Sequence, residues 1–263
     1  MKIALFSDLH LEIKEWEPPE LDVDVVILAG DIGSHTRGLS WATTAFRRDG
    51  VSPQIIYVAG NHEYYSAHLG MLVELQNPKW EQAGVRFLER NTFELTSVRF
   101  LGCTLWSGFN LYGADKTDAY MAVAKRSIND YWMINAKGGK LLEPRDTLQL
   151  HRTAVRWLDT ELAKPFNGKT VVVTHFAPHR GCVAPKHQGS DVSPYFVTDL
   201  SWLMKKHQIA LWCHGHTHTN NDFIAENGCR VISNQRGYPG EQTRTNFGLQ
   251  MDTGFRTDLI LEL

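Results

Sequence analysis

Short runs of consecutive aliphatic residues recur along the chain, and several end in a side chain able to bind a cation. The sharpest is Val25-Val26-Ile27-Leu28-Ala29, followed by Gly30-Asp31. So short an aliphatic run is too brief for a helix and suits a strand buried on both faces. Gly30 lets the backbone turn sharply without a Cβ penalty, which leaves Asp31 at the carboxyl end of an inner strand. Residues 2–7 read the same way and end in Asp8-Leu9-His10. Residues 54–59 are β-rich and end in Gly60-Asn61-His62-Glu63. Val171-Val172-Val173 runs into Thr174-His175, and residues 209–213 end in His214-Gly215-His216-Thr217-His218.

Other segments follow the helical period. Residues 146–164 carry Leu148, His151, Val155, Leu158 and Leu162 on one face, with Asp146 placed to cap the start. Residues 39–48 predict a helix closed by Asp49-Gly50. Residues 66–83 predict a helix broken or kinked at Pro78, and 114–135 and 197–207 predict two more. Residues 85–88, 93–95 and 98–105 read as successive short strands of antiparallel character, and 230–233 and 259–263 as closing strands. Residues 12–24 are acidic, hold Pro18-Pro19 and read as a surface connection. Strands alternating with helices, then a strand-rich middle, predict an α/β fold: one domain over 1–263, with two sheets and helices outside them.

Composition narrows the function classes. Lys and Arg total 27 against 29 Asp and Glu, which gives no general pull toward nucleic acid or anionic membrane. No stretch approaches the roughly 20 apolar residues of a membrane span, and the apolar run at the start is too short for a signal peptide. Cys103, Cys182, Cys213 and Cys229 form no C-x-x-C pair. They read as reduced, buried thiols of a cytoplasmic protein rather than as a zinc ribbon or redox motif.

The polar ends of the buried runs form the chemistry. Asp8 and His10, Asp31, Asn61 and His62, His175, and His216 and His218 each follow a predicted strand. In open α/β sheets ligands collect at the carboxyl ends of strands, so such loops bring distant residues into one cluster. Singly each is a weak signal, since Gly-Asp is a common turn and a lone His is usually a packed or surface histidine. Their joint order and position are hard to explain as structure alone.

In these blocks the chain resembles the calcineurin-like metallophosphoesterases. The family's motifs D-x-H, G-D, G-N-H-[D/E], H and G-H-x-H stand here as Asp8-Leu9-His10, Gly30-Asp31, Gly60-Asn61-His62-Glu63, His175 and Gly215-His216-Thr217-His218. The resemblance implies a four-layer αββα sandwich of two mixed sheets flanked by helices. It also implies a dinuclear metal site at the strands' carboxyl ends. One divalent ion would take Asp8, His10, Asp31 and His218, and the second Asp31, Asn61, His175 and His216. Asp31 would bridge ions roughly 3.5–4 Å apart, as two-metal hydrolytic sites require. A nitrogen and oxygen donor set without thiolate suits Mn2+, Fe2+/3+ or Zn2+, and also Co or Ni, without choosing among them. The ions would generate hydroxide near neutral pH for in-line attack on a phosphoester. His62 would not be a ligand; the resemblance implies a catalytic role beside the leaving oxygen, the alternative being a residue that orients Asn61 or Asp31.

The chain departs from the protein phosphatases of this family at one point. They carry an Asp three residues after the bridging Asp, paired with the catalytic His; here Ser34 stands there. Their Asp followed by Arg-Gly around G-D is also absent. Around the motifs, Tyr64-Tyr65 either line the cleft or pack the next helix. Trp106 and Asn110, after a middle strand, either overhang the site or, the preferred reading for Trp106, pack in the core, and Arg180 reads as a solvated loop charge or a phosphate ligand. His214 reads as a neighbour of the ligands, and Glu63 as a hydrogen-bonding brace of its turn. His35, His68, His151, His187 and His207 read as surface or interface residues. The expected function is hydrolysis of a phosphodiester or phosphomonoester, a small diester or nucleotide first, because the chain is compact and lacks a docking extension. A nuclease would want a basic groove that the composition does not supply. A phosphoprotein phosphatase is weakened by Ser34, and a non-catalytic scaffold by the presence of every ligand position and His62.

Overall fold

Alternation along the strands sets the layering. The computed structural model describes residues 1–47, 52–239 and 254–263. Among these the strands are, in chain order, β1 (Lys2–Phe6), β2 (Val25–Ala29), β3 (Gln54–Val58), β4 (Ala67–His68), β5 (Val85–Phe87), β6 (Asn91–Leu95) and β7 (Val98–Cys103). They continue with β8 (Ile134–Asn135), β9 (Lys169–Thr174), β10 (Leu211–His214), β11 (Asp222–Ile224), β12 (Arg230–Ser233) and β13 (Ile260–Glu262). One main sheet runs β13-β1-β2-β3-β5 and the other β11-β12-β10-β9-β7-β6. In each, the inner strands are parallel, while β13, β11 and β6 pair antiparallel at the edges.

Successive residues of a strand face opposite sides of its sheet. Ile3 and Leu5 of β1, Val25 and Ile27 of β2, Ile56 and Val58 of β3, Val171 and Val173 of β9, and Leu211 and Cys213 of β10 share one buried cluster. This is the seam between the two sheets. The intervening Phe6, Val26, Leu28, Tyr57, Val172 and Trp212 belong to a second cluster together with residues of the helices, such as Leu39, Leu158 and Leu203. Both faces of each inner strand are therefore apolar, which explains the unbroken aliphatic runs. Helices Arg37–Ala45 and Lys79–Gln82 pack at β5, and Pro144–Leu162 packs at β7. The result is the predicted sandwich of two mixed sheets between helices.

Several sequence expectations need correction. Residues 66–83 break at Pro78 as expected, into helices Leu72–Leu75 and Lys79–Gln82, but they begin with β4 and a 3-10 turn at Leu69–Met71 rather than with helix. Residues 114–135 divide into Thr117–Ser127 and Asp130–Met133, and the segment ends in β8, whose partner is β4. Across 197–207 the helix occupies only Ser201–Lys206, because Val197 pairs with Ala177. Pro144–Leu162 starts at a capping box in which Glu143 is the cap and Asp146 reaches back to the Glu143 N–H, so Asp146 supports the start without being the cap itself. The expected stop at Asp49-Gly50 lies outside the described residues. No helix among the described residues is long and apolar enough to cross a membrane.

Leu158 is fully buried where Pro144–Leu162 meets the sheet. Leu158→Ala should lower stability by about 2–5 kcal/mol in urea titration. A loss below about 1 kcal/mol would show that this helix does not support the sandwich.

Candidate metal centre

The seam between the sheets ends at a row of loops on the carboxyl edge of β1, β2, β3, β9 and β10. Asp8 and His10 follow β1, Asp31 follows β2, Asn61 and His62 follow β3, His175 follows β9, and His216 and His218 follow β10. The structure brings all of them together. Asp8, His10, Asp31, Asn61, His62, His175 and His216 are buried, and His218 is half-buried. Three overlapping groups have donor atoms close enough to share an ion: Asp8 with His10 and His218, Asp31 with His175 and His216, and His10 with Asp31 and His62.

Bent backbone produces this convergence. Asp8, His10, Asp31, His216 and His218 all have left-handed φ, between 47° and 73°. That region is uncommon for residues with a Cβ and costs of order 1–3 kcal/mol each. The loops also approach each other too closely for side chains at two points. A Cβ on Gly30, where φ is +88°, would collide with the His175 ring. One on Gly60 would overlap Asp31 and lie 2.7 Å from His175 Nε2.

Glu63 ties the Asp31 and Asn61 loops together. Its buried carboxylate accepts from Asp31 N (3.1 Å), Ile32 N (3.0 Å), Gly60 N (2.7 Å) and the Tyr57 hydroxyl (2.7 Å). Burial, with Asp31 close by, pushes its pKa up to about 7 despite these donors. It braces the turn, as the sequence suggested. Asp31 Oδ1 in turn accepts from His62 N at 2.8 Å, and Asp8 accepts from His216 N at 3.0 and 3.1 Å.

The hydrogen-bond roles can be worked out from the fixed groups. His175 Nδ1 is 2.9 Å from the Ala29 carbonyl, which can only accept, so Nδ1 carries the proton. Nε2 faces Asn61 Oδ1 (3.2 Å), His216 Nδ1 (3.2 Å) and Asp31 Oδ2 (3.3 Å), and offers a cation its lone pair once its own proton is displaced. Asn61 turns its oxygen inward because its Nδ2 donates to the buried carboxylate of Asp130 at 2.9 Å. On the other side His10 Nε2 and His218 Nε2 are 3.1 Å apart, with Asp8 Oδ1 3.4 Å from His218. His216 Nε2 is buried without a hydrogen-bond partner among the described residues, so packing on Phe176, with centroids 3.9 Å apart, holds that ring.

Acceptors packed this closely repel unless positive charge lies among them. Burial alone would discharge His175, yet Asp31 and Asp8 raise its pKa to about 9. Burial likewise opposes ionisation of Asp8, but His218 and His175 hold it at about 2. The same balance, with His175 foremost, keeps Asp31 well below the usual carboxylate range. Two ionised carboxylates, imidazoles and one amide oxygen form a donor set that fits divalent cations of the Mn, Fe or Zn type.

The structure also reveals residues that the sequence did not single out. Glu12 Oε1 lies 3.0 Å from His62 Nδ1 and 3.1 Å from His10 Nδ1. Tyr238 places its hydroxyl 2.9 Å from His62 Nε2 and its ring over His10 and His218. Asp130 accepts from Tyr65, Tyr195 and Asn61. Gln235 accepts from His218 N at 2.7 Å. Glu12 had a signal, two residues beyond His10 on the first ligand loop; Asp130, Tyr238 and Gln235 had none locally.

The remaining candidates separate cleanly. Tyr65 stacks on His62 and lines the cleft, whereas Tyr64 and Trp106 are core. Asn110 is exposed and lies away from the cleft. Arg180 pairs with Asp199 at 2.6 Å. His214 is buried, bonded to Asn221 Oδ1 at 3.0 Å and close to Cys182 Sγ. His151 is buried beneath the carbonyls of Leu105 and Trp106, not at the surface, and burial drops its pKa to about 4.

Comparison with known proteins agrees with this architecture. The family described as Calcineurin-like phosphoesterase matches residues 1–220, and the chain belongs to it. An uncharacterised protein of Acanthamoeba polyphaga mimivirus, L509, is 26% identical over 272 residues, covering 91% of this chain and 92% of the viral one. The fold is similar to phosphopantetheinyl hydrolase PptH from Mycobacterium tuberculosis, with a TM-score of 0.71, 21% identity, and coverage of 93% of this chain and 92% of that one. It is also similar to a dimetal phosphatase from Danio rerio, with a TM-score of 0.51, 15% identity, and coverage of 89% and 86%.

Replacing Glu63 with Ala would orphan five buried donors around these loops, Gly33 N (3.5 Å) together with the four above. Glu63→Ala should cost at least about 3 kcal/mol in chemical denaturation. An unchanged midpoint would show that the brace does not hold these loops.

Proposed function

We propose that this calcineurin-like phosphoesterase hydrolyses a small phosphodiester or phosphomonoester at a dinuclear metal centre, one divalent ion held by Asp8, His10, Asp31 and His218 and the other by Asp31, Asn61, His175 and His216. The observation that supports this most is the crowding of ligand-type atoms around Asp31, with His175 Nε2 only 3.2–3.3 Å from Asn61 Oδ1, His216 Nδ1 and Asp31 Oδ2. Two such cations supply Lewis acidity, which favours hydroxide near neutral pH and offsets charge growing on the phosphate oxygens.

The chain's own residues position and protonate the substrate. His62 Nδ1 is directed at Glu12, and Nε2 points toward the cleft, 2.9 Å from the Tyr238 hydroxyl and 3.9 Å from Asp31 Oδ2. From there it can deliver a proton to a departing oxygen beside the bridging carboxylate. Burial opposes a charge on His62, but Asp31 and Glu12 raise its pKa above the ordinary value, so the proton is held ready. Ser34 stands where protein phosphatases carry an Asp for this imidazole; Glu12 supplies that carboxylate here. Stacking of Tyr65 at 4.0 Å keeps the His62 ring in plane.

The cleft holds about 320 Å3 and is lined by Asn61, His62, Tyr65, Asp130, His216 and Tyr238, among others. That volume suits a phosphoester with modest arms rather than a folded phosphoprotein. The near balance of 27 basic and 29 acidic residues also argues against a nucleic-acid substrate. The four cysteines are unpaired and buried, which supports a reducing, cytoplasmic setting. We read residues 1–263 as one domain, because β1 and β13 join opposite ends of the chain in one sheet.

Asp31→Asn should abolish hydrolysis of bis(p-nitrophenyl) phosphate and lower bound metal measured by mass spectrometry; normal activity would reject the bridging role. His62→Ala should keep both ions and slow turnover by about 10²–10⁴-fold, most with a poor leaving group. Loss of both ions would instead make His62 a structural residue. Glu12→Gln should reduce kcat by about 10–100-fold. Wild-type turnover in that variant would remove Glu12 from the account. The substrate panel should include monoesters, diesters, cyclic nucleotides, dinucleotides and a phosphopantetheinyl ester, since a fold neighbour is named for hydrolysing that group.

A further inference from the structure

Beside the ligand cleft lies a second cavity of about 340 Å3, and the two share walls formed by His187, Phe196 and Thr217. The second cavity differs in chemistry. Val183, Ala184, Val192, Phe196 and Val197 line it, with no Asp, Glu, Lys or Arg in its wall among the described residues. Two of its three hydroxyls are engaged elsewhere: Ser193 Oγ donates to the His187 carbonyl at 2.7 Å, and Thr217 Oγ1 donates to the Thr219 carbonyl at 3.2 Å. Cys182 Sγ lies 3.3 Å from His214 Nε2.

The wall is also built in advance of any ligand. Residues 178–197 fold on themselves through His187 N to the Ala184 carbonyl (2.8 Å), Ser190 N to the His187 carbonyl (3.2 Å) and Ser193 N to the Ser190 carbonyl (3.0 Å). Gly189 N donates to the Tyr112 hydroxyl at 2.9 Å, which anchors the loop to a distant segment. Ala177 pairs with Val197 and fixes the far end two residues after His175.

We propose that this pocket receives an uncharged, largely apolar arm of the phosphoester whose phosphate sits against the metal ligands. The proposal rests on the hydrolase reading and adds a substrate class to it: one arm aliphatic or aromatic, not a second phosphate. A charged arm would lose its hydration in the pocket without meeting an opposite charge. An apolar arm gains about fourfold in affinity for each methylene it buries. The shared wall of His187, Phe196 and Thr217 sets this pocket directly beside the ligand cleft, where an arm leaving the phosphate can reach it.

The test uses full-length protein loaded with Mn2+ and a series of alkyl p-nitrophenyl phosphates, from methyl to hexyl, which keep one leaving group. kcat/KM should rise at least tenfold from methyl to hexyl. That ratio should fall toward one in Ala184→Phe, which fills the pocket, and in Val192→Asp, which charges it. Val192 is partly exposed, so its variant carries the comparison if Ala184→Phe does not fold. Hydrolysis with a flat ratio in the wild type, or a ratio unchanged by the folded variants, would overturn the pocket assignment and leave the hydrolase reading standing. If no ester is hydrolysed, that reading fails, and calorimetry decides the pocket separately. Hexylphosphonate binding at least tenfold tighter than methylphosphonate would support it, and equal binding would overturn it.

Discussion

Ligand-type atoms from five loops are held close together around Asp31, and their demand for positive charge among them is the constraint to which the rest of the structure answers. His175 cannot turn its Nε2 away, because Nδ1 is committed to the Ala29 carbonyl. Asn61 cannot flip its amide, because Asp130 takes its Nδ2. Asp8 and Asp31 are tied by backbone donors from His216 and His62. Each tie orients an acceptor inward, and together they create a place where only positive charge relieves the repulsion.

Such an arrangement needs a rigid support. The sandwich provides it by burying the inner strands on both faces, so the loops start from fixed points. The left-handed backbone at Asp8, His10, Asp31, His216 and His218 is then strain that the packed strands can sustain. Glu63 adds a local brace where the Asp31 and Asn61 loops would otherwise leave five donors unmet. Function and fold meet at this edge: the apolar seam ends where the acceptors begin.

The candidate ligand loops were legible in the sequence because each candidate lies within a few residues of a buried strand, so strand patterning put it at a strand's carboxyl end, while its assignment to an ion came from the family resemblance. The inner strands were legible for the same reason. What escaped notice depends on distant pairing. Residues 66–83 have helical character locally, but Ala67–His68 joins Ile134–Asn135, and no local pattern encodes that partner. Asp130 sits at the break inside a stretch that reads as one helix, and it acts through Asn61, far away in sequence. Glu12 reaches His62 only because the first ligand loop curls back, and spacing along the chain does not show that. Ser34 left the orientation of His62 open, and the three-dimensional structure supplies Glu12 in its place.

The most direct measurement is anomalous diffraction from crystals of the protein grown with Mn2+. The account predicts two peaks roughly 3.5–4 Å apart, one on each side of the Asp31 carboxylate, with His175 and His216 near one and His10 and His218 near the other. A single peak, or ions bound away from Asp31, would contradict it.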